Sequence, residues 1–165
     1  MEQKFVNRSA KGFTLIELMV ALAVLAILAT IGIPSFQRLV AEYRVSSQAN
    51  ATQSALQFAR SEALKRRGDV VICQDGPATI IVRPGDDCDG VFEADTANLL
   101  VLPINPRVEF TGLPETGIRY VANGYIFPTI PLPMNIDVGD PGGAVNTRTV
   151  QVLRSGFSEI ISGGG

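Results

Sequence analysis

The sequence predicts an α+β protein, one long N-terminal helix followed by a small antiparallel β-sheet head. Three observations carry this. From Phe13 to Ile33 the chain reads FTLIELMVALAVLAILATIGI, almost wholly apolar, with Glu17 its only charge. From residue 35 to 67 there is neither glycine nor proline, and apolar positions recur at helical spacing. After residue 68 the helical period disappears, nine of the ten prolines lie beyond residue 76, and short β-branched runs separated by turn residues take over.

Taken in order, residues 1–12 are polar and carry Lys4, Arg8 and Lys11 against Glu2. The next twenty-one residues, as a helix, span roughly 30 Å, the thickness of a hydrocarbon core. Basic residues ahead of such a span predict a cytoplasmic N-terminus and an exported remainder. A cleaved secretory signal fits poorly. Its apolar core is usually ~7–15 residues and ends at a small-residue cleavage site, whereas this run continues through Pro34 into a second helical stretch. A plain single-span anchor leaves Glu17 unexplained, since a carboxylate at the bilayer centre costs about 2.5–3.5 kcal/mol.

Pro34 has no amide hydrogen and clashes with the carbonyl four residues back, so a kink is expected between Thr30 and Pro34, eased by Gly32. Beyond it Val45, Ala49, Thr52, Leu56, Ala59 and Ala63 form a stripe with steps of four and three. Lys65, Arg66 and Arg67 complement the negative helix end, and Gly68 suits a left-handed C′ position. The expectation is one helix over 13–67, about 80 Å if unbroken. Its second half should pack on a globular head rather than in a free coiled coil, because the stripe is alanine-rich and lacks a Leu/Ile seam.

The expected strands are Val70–Cys73, Thr79–Arg83, Leu99–Leu102, Val108–Phe110, Ile118–Val121, Tyr125–Phe127 and Thr149–Leu153, with Asn123-Gly124 as a hairpin dipeptide. Residues 128–146, rich in proline and glycine, read as a loop, and 162–165 as a frayed tail.

Composition narrows the chemistry. There is no histidine, which excludes Ser-His-Asp and Cys-His catalytic arrangements and imidazole-bound zinc. Serines and acids occur without an organising base, so the chain does not read as an enzyme, and no cofactor is expected. The formal net charge is −2, a poor footprint for a dedicated nucleic-acid binder. Pro84-Gly85-Asp86-Asp87-Cys88-Asp89-Gly90 gathers three aspartates. It lacks the spacing and distal glutamate of an EF-hand and reads as a solvated turn, so no metal is expected.

Lys11-Gly12-Phe13-Thr14-Leu15-Ile16-Glu17 resembles the class III signal of type IV pilins and type II secretion pseudopilins. The resemblance implies the pilin fold and cleavage by prepilin peptidase between Gly12 and Phe13. It also implies N-methylation of Phe13 and an assembly role for Glu17, the fifth mature residue. The chain then divides into a leader (1–12), a transmembrane and assembly helix (13–34), an amphipathic half of that helix (35–67) and a β-rich head (68–165). The physics is independent of the family. Cleavage creates an α-amine at Phe13, and Glu17 lies one helical turn away. Glu17 pairs either with its own amine or with that of a neighbouring subunit, and the second option neutralises both buried charges only when subunits are staggered correctly, a polar device for register.

Ala55-Leu56-Gln57-Phe58-Ala59-Arg60-Ser61-Glu62-Ala63, then Lys65-Arg66 and Val70–Cys73, is similar to the GspH/FimT family. That family holds the H pseudopilin of type II secretion and the FimU and FimT minor pilins. The resemblance implies a minor pilin of the type IV pilus. The alternatives are a type II minor pseudopilin and a DNA-binding pilus subunit for natural transformation. Implied partners are other pilin or pseudopilin subunits through the N-terminal helix, prepilin peptidase and an inner-membrane assembly platform. The implied location is the bacterial inner membrane with a periplasmic head, then a filament. In that compartment Cys73 and Cys88 are expected to form a disulfide, worth about 3 kcal/mol by loop closure, rather than stay as free thiols. Some FimT-like members bind DNA through closely spaced arginines. Here Arg148 and Arg154 are the candidates, but Ser155-Gly156-Phe157-Ser158 follows without a second arginine. Without the leader, eleven basic residues face fifteen acidic ones, so a nucleic-acid partner is not expected.

Overall fold

A computed structural model describes residues 12–88, 98–128 and 130–162. It contains one helix, α1 (Leu15–Arg66), and eight strands: β1 (Val70–Asp75), β2 (Thr79–Pro84), β3 (Leu100–Pro103), β4 (Glu109–Thr111), β5 (Ile118–Tyr120), β6 (Met134–Gly139), β7 (Arg148–Val152) and β8 (Ser158–Ser162). The described residues form two compact units, one ending at Gln37 and the other beginning at Arg38.

In the first unit α1 continues through Gly32 and Pro34, so the proline does not end the helix. Its large apolar side chains from Leu15 to Ile33 are exposed. This stretch is long and apolar enough to cross a membrane.

In the second unit α1 buries the expected stripe, with Val45, Ala49, Thr52, Leu56, Ala59 and Ala63 all but inaccessible. The alanines let sheet side chains approach the helix closely. Buried Thr52 satisfies its hydroxyl by donating to Gln48 O at 2.9 Å. The helix ends one residue earlier than Gly68 predicted. Arg67, not Gly68, is left-handed (φ 52°), and Gly68 N donates to Ala63 O at 3.3 Å. This six-to-one closure puts Gly68 at C″. In the last turn Glu62 accepts from Arg66 Nε at 2.7 Å and from Lys65 Nζ at 3.4 Å. The Arg66 hydrogen bond, reinforced by Lys65, holds the Glu62 carboxyl below its usual 4.5. A lowered folded-state pKa gives stability that is full above the unfolded value and lost as pH falls through the folded one. Glu62→Gln should therefore melt below wild type at neutral pH. The gap should close on acidification below 4.5, and a constant gap down to strong acid would contradict the pairing.

The strands form two antiparallel four-stranded sheets, ordered β3-β2-β1-β5 and β4-β6-β7-β8, rather than one small sheet. Two strands lie where none was expected. β6 falls inside the stretch read as a loop, and β8 ends at Ser162, in the supposed tail; residues 163–165 lie outside the described residues. Tyr125–Phe127 is not a strand but contributes a single bridge, Tyr120↔Ile126, closed by Gly124 N donating to Val121 O. Val70, Ile72, Val82, Ile118, Ile136, Val138, Val150 and Val152 join the α1 stripe in one core.

β1 alternates faces. Val70 and Ile72 join that main core, while Val71 and Cys73 form a smaller cluster with Ile81 on the other face. Cys73 bonds Cys88 there, with Cα atoms 5.8 Å apart. Cys73 lies within β1 rather than at its end. Gly117 (φ +72°) underlies the bridge. A Cβ there would stand 2.5 Å from Cys88 Sγ and 2.6 Å from Ile72 O. Gly117→Ala should cost about 2–5 kcal/mol from the left-handed backbone and overpacking together. Denatured, unreduced wild type should take up no thiol label, whereas the variant should label in part. Full labelling of wild type would refute the bridge.

Candidate assembly and processing site

The N-terminal site is built on the first turn of α1. Thr14 Oγ1 accepts the backbone N–H of Glu17 at 3.2 Å, and Leu18 N donates to Thr14 O at 3.2 Å. Thr14 is thus the helix N-cap. The pattern Thr14-x-x-Glu17 is the sequence form of a capping box, a signal readable from residues alone but absent from the sequence analysis. Only half of the box forms. Among the described residues the Glu17 carboxylate has no hydrogen bond or ion pair within the chain. Phe13 is 86% exposed, and nothing lies within 4 Å of a Cβ built on Gly12. The fold therefore has no need of glycine at position 12, and any such requirement belongs to whatever handles this segment.

The head places the other sequence-derived candidates apart. Arg148 opens β7 and lines a cleft of about 350 Å³ with Arg38 and Glu42. Its Nη2 is 4.0 Å from Glu42 Oε1. Arg154 is exposed in the turn after β7. The strand from Arg148 to Val152 alone spans roughly 13 Å and Arg154 lies in the turn beyond it, so the two arginines do not form one closely spaced pair. Asp86, from the aspartate-rich turn, lies 3.8 Å from Arg119 Nη1. Arg119 also donates to Asp69 Oδ2, through Nε at 2.8 Å and a second N–H, and stacks over Phe127 at 4.4 Å. Asp89 and Gly90 lie outside the described residues. Among the described residues no three acidic or cysteine side chains converge as metal ligands would.

One cluster has no counterpart in the sequence reading. Arg60 Nε, Tyr120 OH and Ser158 Oγ are buried without a hydrogen-bond partner among the described residues. They gather around the turn at Gly156, where a Cβ would be 3.3 Å from Arg60 Nε and 3.2 Å from Tyr120 Cε1. Burial pushes the Tyr120 hydroxyl pKa far up, opposed by the nearby Arg60 charge. No local pattern marks this cluster, because residues 60, 120 and 158 meet only through the tertiary fold.

A helix with an apolar half long enough to cross a membrane and an amphipathic half that packs on two antiparallel sheets is a pilin-like architecture. Two family models match the chain. One is described as type II transport protein GspH, over residues 48–156, and the other as the prokaryotic N-terminal methylation motif, over residues 7–33. The chain belongs to the GspH family of minor pilins and pseudopilins. The fold is similar to that of the type IV minor pilin FimU of Pseudomonas aeruginosa. In one crystal form the TM-score is 0.53 at 19% identity, covering 70% of this chain and 91% of that one. In a second form it is 0.54 at 18%, covering 74% and 90%. It is equally similar to EpsH, the minor pseudopilin of the type 2 secretion system of Vibrio cholerae, with TM-score 0.54 at 13% identity, covering 74% and 99%.

Proposed function

We propose that this protein is a minor pilin, a structural rather than catalytic subunit of a type IV pilus. Residues 1–12 act as the leader. Prepilin peptidase cuts between Gly12 and Phe13, and Phe13 is N-methylated. Residues 13–34 hold the chain in the bacterial inner membrane with residues 68–165 as a periplasmic head, and Gly32 and Pro34 give the helix a place to bend. Residues 35–67 form the half of the helix that carries the head. On the assembly platform the apolar helices of neighbouring subunits pack together, and Glu17 pairs with the Phe13 amine of the next subunit.

The observation that carries this reading is the carboxylate of Glu17. It has no partner among the described residues, on an otherwise apolar helix start that the methylation motif covers. A carboxylate is costly in an apolar assembly unless a partner supplies the counter-charge. Mass spectrometry of sheared surface pili tests it. The protein should co-purify with pilus subunits, and recovery only with secretion-system subunits would overturn the pilus reading. The second reading is a type II minor pseudopilin. It has the matching family description and the EpsH likeness in its favour.

A further inference from the structure

We infer that the groove between α1 and the turn joining β7 to β8 is a docking site for an acidic side chain, flanked by an apolar one, on an adjacent and non-identical filament subunit. The inference rests on the filament reading above and adds to it a contact made by the head. The groove encloses about 400 Å³. Its walls are Leu64 on α1 and Phe157 on the turn, both about half exposed despite their size. Arg60 and Ser158 line it.

The chemistry of the lining names the occupant. Ser158, in the lining, is fully buried, yet its hydroxyl has no partner among the described residues; the same holds for Tyr120, whose ring lies against Gly156 rather than in the lining. Arg60 Nε is likewise buried and unpartnered. Arg60 makes no ion pair or hydrogen bond with any described residue, although four other cations, Lys65, Arg66, Arg119 and Arg148, lie within reach of a carboxylate. Buried donors normally find partners. A guanidinium can only donate, so a group that satisfies it must accept. A carboxylate accepts from several donors at once and supplies the missing negative charge. A free inorganic anion would use the donors but leave Leu64 and Phe157 in water. An acidic side chain carried on a protein surface beside an apolar residue uses both parts of the groove. Arginine beside an aromatic side chain is also the composition of a binding hot spot.

The turn is shaped for this. Gly156 has φ +77°, and a Cβ on it would meet Gly124 O at 2.1 Å as well as Arg60 Nε. Only glycine lets the turn sit down over Arg60 and bring Phe157 and Ser158 to the groove. Gln53 Nε2 fixes the turn's far side by donating to Ser158 O at 2.9 Å.

The test uses the full chain in its own cells, with Phe157 replaced by the photoreactive p-benzoylphenylalanine. Irradiation should link it to another filament subunit, through a peptide that contains Asp or Glu. Arg60→Gln should lower that adduct at least about tenfold, and Arg60→Lys should restore part of it. Reversing both charges, Arg60→Glu with the partner's mapped acid changed to Arg, should restore it further. Protection of the head from added protease, at the wild-type level, reports that each variant is folded. If Arg60→Gln loses that protection, Leu64→Glu takes its place, since Leu64 is half exposed, and it should abolish the adduct equally. An adduct indifferent to Arg60 or Leu64, an adduct only to a second copy of this chain, or none at all would overturn the inference. Recovery of wild type in sheared pili is scored separately. Wild type in pili without a groove-dependent adduct sinks the groove alone. Absence from pili with an Arg60-dependent adduct to a secretion-system subunit sinks the pilus reading and keeps the groove.

Discussion

Protein extracted from wild-type membranes is expected to begin at N-methyl-Phe13, with residues 1–12 gone. Intact mass decides it, and Met1 retained in wild-type cells would refute the reading. The first turn of α1 explains why such a cut is harmless to the helix. The cap is Thr14, and its hydroxyl accepts from Glu17 N, so everything that starts the helix lies after the cut. Gly12→Ala separates recognition from folding. A methyl group at position 12 meets nothing within 4 Å, so the variant should insert and form the Cys73–Cys88 bridge as wild type does. Its effect should fall on cleavage, because a peptidase cleft shaped for glycine is crowded by a side chain. The expected result is near-complete accumulation of precursor. Uncleaved chains lack the Phe13 amine, so they should also be missing from filaments. Normal cleavage of Gly12→Ala would count against a glycine-specific site while leaving the anchor intact.

How far the molecule is legible in its sequence depends on the range of the interactions that build each part. The helix is local, and the stripe Val45, Ala49, Thr52, Leu56, Ala59 and Ala63 is the buried face because a 3.6-residue period leaves no other choice. β1 and β2 are read equally well, since short β-branched runs flank a tight turn. β6 is harder. Ile136 and Val138 alternate with Asn135 and Asp137 as strand residues should, but Pro131, Pro133 and Gly139 bracket them and give the segment the look of a loop. The division into two sheets is not local at all. β4 pairs with β6 across the whole of β5, and β8 is set only by its register with β7. The same contrast separates the sites. Gly12, Phe13 and Glu17 fall within six consecutive residues and can be found by motif. Arg60, Tyr120 and Ser158 converge from a helix and both sheets, and no sequence window contains them.

Glu17→Val is expected to leave export, cleavage and head folding unchanged and to remove most of the protein from filaments. The cap supports the first half. Thr14 holds the backbone N–H of residue 17, which valine also possesses. Valine lowers helix propensity by only a few tenths of a kcal/mol. It also removes the one charge between Phe13 and Ile33, so retention in the membrane should improve if it changes at all. Assembly should suffer for a different reason. The Phe13 amine of the adjoining subunit stays charged in an apolar surrounding and loses its counter-ion. Breaking a buried pair on one side typically costs about 3–5 kcal/mol, which is more than a hundredfold in an equilibrium for incorporation. The measurement is the ratio of mutant to wild-type subunits in sheared filaments of cells expressing both, normalised to their membrane levels. A ratio near one would mean that Glu17 has no assembly role. The size of a loss also carries position. A subunit at the end where the neighbour facing its carboxylate is missing has no such pair to lose, so it should tolerate the change. Near-complete exclusion therefore implies that Glu17 faces the amine of an adjoining subunit in the finished filament, and that this subunit does not sit where that neighbour is missing.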